Sequence, residues 1–325
     1  MSIRSRAVST IRHAHLEQPA RATLLLGRKV MRRLRTARST ARAALTAAQA
    51  ARSDRVLSGR FGCVRLTPPA LETLIGSPRP GPIAVIVCLW NRRERIHDIL
   101  KIIDQQKTSR GVRLVLWNNN AADSAFYRRA LADVGPGVTL DCVQFLDSPH
   151  NIGGIGRFIA ARELKRGGYT DPFIMMDDDQ DFGPDFVENL LAVSAPRSIA
   201  GVWAWNNDGA YWNRTQVLTT GQGADHVGTG GSICDSALVE DDAFFDRLPM
   251  KFLFMEDIWM SRYAKRNGWA VTMVESPFNF VLSERDQGHA LFDLKEGFYD
   301  WLRDPGNVPL RPEPVVGGGA ENDQR

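Results

Sequence analysis

Short apolar runs alternate with helix-like segments along the middle of the chain. Residues 83–89 (IAVIVCL) are continuously apolar, as expected of a strand that is buried on both faces. Similar runs follow at residues 112–117, 143–146 and 172–176. Between these runs, residues 95–106 and 156–166 are predicted to be helical. Strands separated by helices predict an α/β fold with a mostly parallel central sheet flanked by helices on both faces.

The first 60 residues have a different composition. They hold 14 Lys or Arg and two acids, whereas the rest of the chain holds 27 basic and 35 acidic residues. Residues 19–52 have no internal proline and place apolar residues on one helical face, which predicts a basic helical arm over residues 1–60. Such an arm is typical of a helix that lies on an anionic membrane surface, with packing on the body or on a second subunit as the alternative. We do not expect a nucleic-acid partner, because the arm has no aromatic residue for base stacking.

Proline and glycine positions suggest the remaining boundaries. Five of the 17 prolines lie within residues 67–82, and residues 61–82 are predicted to be a Pro-rich linker. The main domain is predicted to cover residues 83–304, followed by a disordered tail over 305–325. No apolar run approaches the ~20 residues that span a bilayer. The four cysteines form no CxxC pair, so we expect a cytoplasmic protein, with the arm on the inner face of the cytoplasmic membrane.

An acidic triplet directly follows the run at residues 172–176. Asp177, Asp178 and Asp179 are adjacent carboxylates, which repel one another unless a cation or hydrogen-bond donors hold them. On an extended backbone, Asp177 and Asp179 point to one side and Asp178 to the other. The first and third are therefore predicted to share Mg²⁺ or Mn²⁺, and a solvated acidic turn is the alternative.

A second acidic pair, Glu256 and Asp257, opens a predicted helix that stops at Gly268. The helix macrodipole favours carboxylates in the first turn and keeps them ionised. Simple capping explains such a pair. Beside a metal site, however, an ionised acid that opens a helix suits a general base acting on a hydroxyl.

A glycine-rich loop and an aromatic cluster complete the candidate chemistry. Residues 151–156 (NIGGIG) imitate a dinucleotide-binding fingerprint, but Ile159 occupies the last glycine position and the first strand is not followed by a glycine turn. Close backbone approach to a nucleotide's sugar or phosphates fits this loop. The aromatic residues Trp203, Trp205, Tyr211 and Trp212 lie beside amide and carboxyl side chains. Aromatic faces suit sugar rings, although core packing is the commoner role.

Taken in order, six motifs resemble those of the family 2 inverting glycosyltransferases of the GT-A fold, over about residues 83–285. They are IAVIVCLWNRRERI, VLWNNNAAD, NIGGIG, FIMMDDDQDFGPDF, GTGGSICDSALV and FLFMEDIWMSRYAKRNGW. The resemblance implies a nucleotide-sugar donor and a divalent metal, Mn²⁺ or Mg²⁺.

The resemblance also implies roles for individual residues. Donor-binding positions correspond to Leu89, Trp90, Asn91, Asn118, Asn151, Gly153, Asp177 and Asp178. The metal ligands correspond to Asp179, assisted by Asp177, with His289 as a further ligand. Asp257 corresponds to the catalytic base, and Glu256 is its partner in the motif. Asn118 departs from the family pattern, because an acid that contacts the nucleotide base usually stands there.

The expected function is metal-dependent, inverting transfer of a sugar from a nucleotide-sugar to a hydroxyl of a cell-envelope glycan or lipid-linked saccharide. Three alternatives remain. A non-catalytic carbohydrate-binding relative would keep the aromatic cluster and lose the acids, which are all present here. A sugar nucleotidylyltransferase would need a glycine-rich loop after the first strand. The glycine pattern also disfavours a dinucleotide-dependent oxidoreductase.

Overall fold

The computed structural model describes residues 48, 51–281, 291–308 and 310. The chain divides into two compact units, residues 1–56 and 57–325. Residues 51–66 are helical and form helix α1, of which residues 57–66 belong to the second unit. Within that unit, Phe61 and Val64 of α1 are buried in the core.

The second unit contains the other described helices and strands. In chain order the strands are β1 (Glu72–Gly76), β2 (Ile83–Leu89), β3 (Val112–Asn118), β4 (Leu140–Asp147), β5 (Phe173–Asp177), β6 (Gln180–Phe182), β7 (Ser198–Gly201), β8 (Ala204–Asn207), β9 (Arg214–Val217), β10 (His226–Val227), β11 (Ser232–Cys234), β12 (Ala270–Met273) and β13 (Phe278–Phe280). The remaining helices are α2 (Ile96–Asp104), α3 (Ser124–Ala132), α4 (Gly156–Arg166), α5 (Phe186–Val193), α6 (Asp242–Asp246), α7 (Glu256–Arg266) and α8 (Phe292–Arg303).

Eight strands form one mixed sheet in the order β1-β4-β3-β2-β5-β11-β7-β12. Six of them run in one direction, and only β1 and β11 are antiparallel to them. Smaller sheets join β10-β8-β9 and β13-β6. The α/β fold with a mostly parallel central sheet is therefore confirmed.

The two faces of the sheet carry separate apolar cores. Along β2, Ala84 and Ile86 belong to the core that includes side chains of α4, α6 and α7. The alternate residues Val85 and Val87 belong to the core that includes α2, α3 and α5. Successive side chains of a strand point to opposite faces, so a continuously apolar strand is one that is covered twice. The predicted placement of helices on both faces is confirmed.

The segment 61–82 differs from the predicted linker. It contains the end of α1 and the edge strand β1, which pairs antiparallel with β4. Ile75 of β1 is buried, and this burial anchors the strand to the domain. The five prolines lie before and after β1, because a residue without an N–H group cannot donate to a strand ladder.

Several predictions concern residues that the structure does not describe. Residues 1–47 of the predicted basic arm, most of the predicted tail and His289 lie outside the described residues. Among the residues that the structure describes, no helix is long and apolar enough to span a bilayer.

Candidate functional site

A cavity of about 240 Å³ lies at the carboxyl ends of β2 and β5. These neighbouring strands run parallel, with Cys88 opposite Asp177, and such strand ends are where open α/β sheets bind ligands. The cavity is lined by Cys88, Trp90, Arg92, Asn119, Asn151, Gly153, Gly154, Arg157, Asp177, Asp178, Asp179, Thr229, Phe254 and Glu256. Motifs that are far apart in the sequence therefore converge on one cavity.

A second, larger cavity of about 590 Å³ opens elsewhere on the same unit. Residues of α1, α6 and the end of α8 line it, among them Phe61, Arg65 and Trp301. It is an open groove whose one lining carboxylate, that of Asp246, pairs with Arg65. We therefore assign the chemistry to the smaller cavity, where the acidic motifs meet.

Asp177 ends β5 and pairs with a buried arginine from α4. Nη2 of Arg157 donates to Oδ1 of Asp177 at 2.7 Å. Arg157 is only 3% exposed, and within the described part of the chain its Nε and Nη1 have no hydrogen-bond partner. Burial opposes the charge of this guanidinium, but the neighbouring Asp177, Cys88 and Glu256 outweigh burial and raise its pKa. Arg157 is thus a permanent cation in the cavity wall.

Asp178 and Asp179 are both held by Arg92. Nη1 of Arg92 donates to Oδ1 of Asp178 at 2.6 Å, and its Nη2 lies 3.4 Å from Oδ2 of Asp179. The backbone N–H of Trp90 donates to the second oxygen of Asp178 at 3.0 Å. Burial raises the pKa of Asp178 to about 6 despite Arg92, and burial together with Asp177 raises the pKa of Asp179.

The predicted alternation of the three side chains does not extend past Asp177. Residues 178 and 179 form a turn into β6 instead of continuing the strand. Because the backbone turns, Asp178 and Asp179 reach the same guanidinium instead of facing opposite sides.

The acids therefore do not form a metal site in this structure. Asp177 is paired with Arg157, and Asp179 faces Arg92. In the described part of the chain, no three His, Cys, Asp or Glu side chains come together as metal ligands. An ion on these carboxylates would face two guanidinium groups of like charge. The donor set that the structure describes does not fit a divalent cation.

Asn119 and Asn151 fix the glycine-rich loop to the sheet. Oδ1 of Asn119 accepts from the N–H of Ile152 at 3.2 Å and from the indole of Trp117 at 3.1 Å. Its Nδ2 donates to the carbonyl of Gly153 at 3.1 Å. Oδ1 of Asn151 accepts from the N–H of Gly153 at 2.8 Å. These bonds pin the loop beside the end of β3.

Two glycines of this loop have no room for a side chain. Gly153 has a φ of +68°, a conformation that other residues rarely adopt. A Cβ atom on Gly153 would overlap the ring of Phe254, and one on Gly154 would overlap Oε1 of Glu256. The loop therefore carries glycine because the backbone approaches the start of α7 closely.

The two acids that open α7 lie in different surroundings. Glu256 lines the cavity, is 8% exposed, and accepts from Oγ1 of Thr229 at 3.3 Å. Burial raises the pKa of Glu256 to about 7, with Arg157 opposing, so burial outweighs the helix dipole that predicts an ionised acid. Asp257 is half-buried. Burial lowers the pKa of His226 in β10, and the charge of Asp257 opposes that shift. Glu256 thus faces the cavity, and Asp257 influences the small sheet.

The predicted donor-binding residues divide into two groups. Those that line the cavity are Trp90, Asn151, Gly153, Asp177 and Asp178. Leu89 instead packs in the core that contains α2. Asn91 follows β2 with a φ of +56°. Asn118 is fully buried and donates to Asp147 at 2.9 Å and to Ser124 at 3.2 Å, so it holds the loop after β3.

Seven of the cavity residues were not predicted as site residues, and three of the seven, Arg92, Asn119 and Arg157, make the hydrogen bonds and ion pairs described above. Arg92 and Asn119 follow strand ends within quoted motifs, and Arg157 directly follows the motif NIGGIG in the first turn of α4, which is a usable signal. Their partners become visible only when the strands are placed side by side.

The aromatic cluster is partly core and partly surface. Tyr211 is buried, whereas Trp212 is 43% exposed and stacks on Phe292 at a centroid distance of 4.8 Å. The guanidinium of Arg214 lies over Trp205 at 4.2 Å and also contacts the rings of Tyr211 and Trp212. Trp203, by contrast, packs edge-on against the aromatic rings of β13.

Comparison with known proteins gives structural likenesses alone. No protein-family model matches this sequence, and no curated protein matches it either. The solved structures that it resembles include TarS 1–349 from S. aureus in complex with UDP, with 15% identity and a TM-score of 0.41. They also include the mannosyltransferase PcManGT from Pyrobaculum calidifontis in complex with GDP-Man and Mn²⁺, with 14% identity and a TM-score of 0.44. The bifunctional glycosyltransferase WbbM, at 14% identity and a TM-score of 0.37, is a third.

These likenesses cover limited parts of the chains. The TarS match covers 59% of this chain and 57% of that one, so it spans little more than half of the TarS structure. The PcManGT match covers 80% and 74%, and the WbbM match 57% and 38%. The neighbours named include a mannosyltransferase and a bifunctional glycosyltransferase, and at TM-scores below 0.5 these likenesses carry no argument about this chain.

Proposed function

We propose that this protein is an inverting glycosyltransferase that moves a sugar from a nucleotide-sugar to a hydroxyl acceptor. The observation that supports this most is the convergence on one cavity of the acidic triplet, the glycine-rich loop and Glu256, the first of the two acids that open α7. A cavity with charged and polar groups at the carboxyl ends of parallel strands suits a polar, anionic cosubstrate.

The donor occupies the cavity with its diphosphate near the two arginines. The glycine-rich loop allows the backbone to approach the sugar or phosphates, because neither Gly153 nor Gly154 has room for a side chain. Trp90, which is 40% exposed at the cavity edge, offers an aromatic face to the nucleotide base.

Asp257 is the proposed base of the transfer step. It takes the proton of the acceptor hydroxyl while the hydroxyl oxygen forms a bond to the anomeric carbon. The bond from that carbon to the diphosphate oxygen breaks on the opposite face, and the nucleoside diphosphate leaves with the electron pair. Arg92 and Arg157 face the negative charge that develops on this leaving group.

The sequence also predicts a requirement for Mn²⁺ or Mg²⁺ at Asp177, Asp179 and His289. The arrangement of the described carboxylates gives that requirement no support, because both aspartates face arginines. The proposed transfer step therefore uses side chains alone. Comparing activity in EDTA with activity in added metal decides whether transfer requires a divalent cation.

A binding screen on the full chain tests the function. UDP-, dTDP- and GDP-sugars are each titrated into the protein in EDTA, in Mg²⁺ and in Mn²⁺, and the release of free sugar is followed. We expect one nucleotide class to bind and to be hydrolysed slowly without an acceptor. A folded protein that binds none of them would instead be a non-catalytic relative.

The acceptor is proposed to be a saccharide of the cell envelope or a lipid-linked saccharide, met at the inner face of the cytoplasmic membrane. The 14 basic residues among the first 60 support membrane attachment. Co-sedimentation with anionic vesicles tests it, comparing the full chain with residues 48–325, which keep α1. Equal pelleting of both forms would remove this role from the arm.

A further inference from the structure

We infer that Arg157 is a built-in cation that neutralises the donor diphosphate, so that this protein binds nucleoside diphosphates without a divalent metal. The inference deepens the proposed function and rests on it. Arg157 lies in the first turn of α4 and forms part of the cavity wall.

Arg157 forms an ion pair with Asp177, the acid at the end of β5. Its guanidinium is almost completely buried, whereas the side chain of Asp177 remains 36% exposed. The 2.7 Å bond between them engages Oδ1 of Asp177 and leaves Oδ2 without a bond to Arg157. A metal ion bound to this carboxylate would share it with a fixed positive charge, and like charges at this distance repel strongly in a partly buried site.

Arg157 also has more hydrogen-bonding capacity than its surroundings use. Its Nε and Nη1 are buried and have no hydrogen-bond partner among the residues that the structure describes. Buried polar groups are nearly always paired, and the sulfur of Cys88 beside Arg157 is only a weak acceptor, so these donors call for an oxygen acceptor that the described residues do not supply. A guanidinium offers a planar set of donors that matches phosphate oxygens.

Apart from Asp177, which pairs with one edge of the guanidinium, the neighbours of Arg157 do not cancel its charge. The nearby thiol of Cys88 stays neutral, because burial raises its pKa to about 11 although Arg157 opposes the rise. Glu256, the other acid that faces Arg157, makes no hydrogen bond with it, and its pKa lies near 7. Arg92 is engaged by Asp178 and Asp179. Arg157 is therefore the cavity cation whose donors are still unfilled among the described residues.

Calorimetric titration of the full chain tests the inference. The ligands are UDP and GDP, with uridine and guanosine as the uncharged comparison, each in EDTA and in Mn²⁺. We expect the Kd of the preferred diphosphate to agree within about threefold between EDTA and Mn²⁺. Arg157→Gln should weaken diphosphate binding by about tenfold or more and leave nucleoside binding unchanged, because a charge-assisted bond is lost. Arg157→Lys, which keeps the charge, should recover part of the affinity.

Arg166→Gln is the matched control, since Arg166 lies on the same helix with its side chain 57% exposed and should bind like the wild type. Diphosphate binding that falls tenfold or more in EDTA, or that is equal in Arg157→Gln and wild type, overturns the inference while the proposed function stands. Failure of the wild type to bind any nucleotide overturns the proposed function and the inference together. Should Arg157→Gln fail to fold, the EDTA comparison on the wild type and the Arg157→Lys titration decide the matter.

Discussion

Along its strand order the main sheet divides between β5 and β11 into two sides, and these are built in different ways. On one side, β2 to β5 are parallel strands of five to eight residues whose side chains are almost all buried. On the other side, β11, β7 and β12 have three or four residues each, and β11 is antiparallel. The first side contributes Arg92, Arg157 and the acidic triplet, and the second is followed by the acids of α7 and the aromatic cluster.

The two sides also differ in the side chains that they offer to a ligand, charged groups on the first and aromatic rings on the second. Charged groups on the first side stand at the ends of rigid strands and are paired with one another at 2.6–2.7 Å. On the second side, Trp212 and Phe292 are held by ring contacts and remain exposed. We expect the first side to bind the anionic donor and the second to meet the acceptor.

Asp257→Asn should lower the rate of sugar transfer by about 10³-fold, because the proposed base is lost. The Kd for the donor should stay within about twofold of the wild type, since Asp257 does not line the donor cavity. Transfer rates and donor titrations on the same preparation measure both. Asp300→Asn on α8 is the matched control and should be fully active. Equal loss of donor binding and of stability would instead make Asp257 structural.

Gly154→Ala should destabilise the protein by about 2 kcal/mol and weaken donor binding, because the new methyl group overlaps Oε1 of Glu256. Urea unfolding and donor titration measure the two effects. Gly297→Ala in the middle of α8 is the opposite case, since a Cβ there meets nothing within 4 Å. That variant should gain about 0.5 kcal/mol from its higher helix propensity. Unchanged stability in Gly154→Ala would mean that the loop and α7 do not touch.

Glu256→Gln should remove part of the dependence of stability on pH. The pKa of Glu256 is raised from its ordinary value to about 7, so the stability it contributes is complete below pH 4.5 and is lost as pH rises through 7. Between pH 6 and pH 8 the wild type should lose about 1 kcal/mol of unfolding free energy through this group. Asp178, with a pKa of about 6, acts mainly at lower pH. Urea unfolding at the two pH values should show a smaller difference in Glu256→Gln, and an identical difference would show that Glu256 is ionised throughout.

Trp212→Ala should raise the KM for the acceptor by about fivefold, because an exposed aromatic face that stacks on a sugar is worth about 1 kcal/mol. The donor Kd should not change. Trp90→Ala, at the donor cavity, should show the reverse pattern. Steady-state kinetics with both substrates varied measures the pair. If both variants change the same constant, the division between the two sides of the sheet is wrong.

The parallel side of the main sheet is readable from the sequence, whereas the small sheet of β10, β8 and β9 is not. β2 and α4 have the predicted bounds, since a continuously apolar run and an uninterrupted helical segment each have only one compatible structure in this context. β8 (AWNN) and β9 (RTQV) carry no such run, and they are strands because they pair with each other. Their strand structure therefore depends on pairing and not on an apolar run of their own.

The same limit applies to the site. The acids at 177–179 and 256–257 can be recognised in the sequence as adjacent carboxylates next to apolar segments. The roles of Arg92 and Arg157 are not visible, because an arginine looks like a surface residue until a carboxylate is placed beside it. The predicted alternation of Asp178 failed for a related reason, since the turn at 178–179 depends on the pairing of β6 with β13.

The two outer strands of the main sheet have a consequence for association. β1 is a short strand with an irregular register between Thr73 and Ile75, and prolines flank it on both sides. At the opposite edge, residues 222–224 run along β12, with Ala224 donating to the carbonyl of Val271 and Met273 donating to that of Gln222. Bulged, short or covered edges resist growth of a sheet by strand addition. A second copy of the chain, or a peptide, therefore meets this protein through side chains and not by extending its β-ladder.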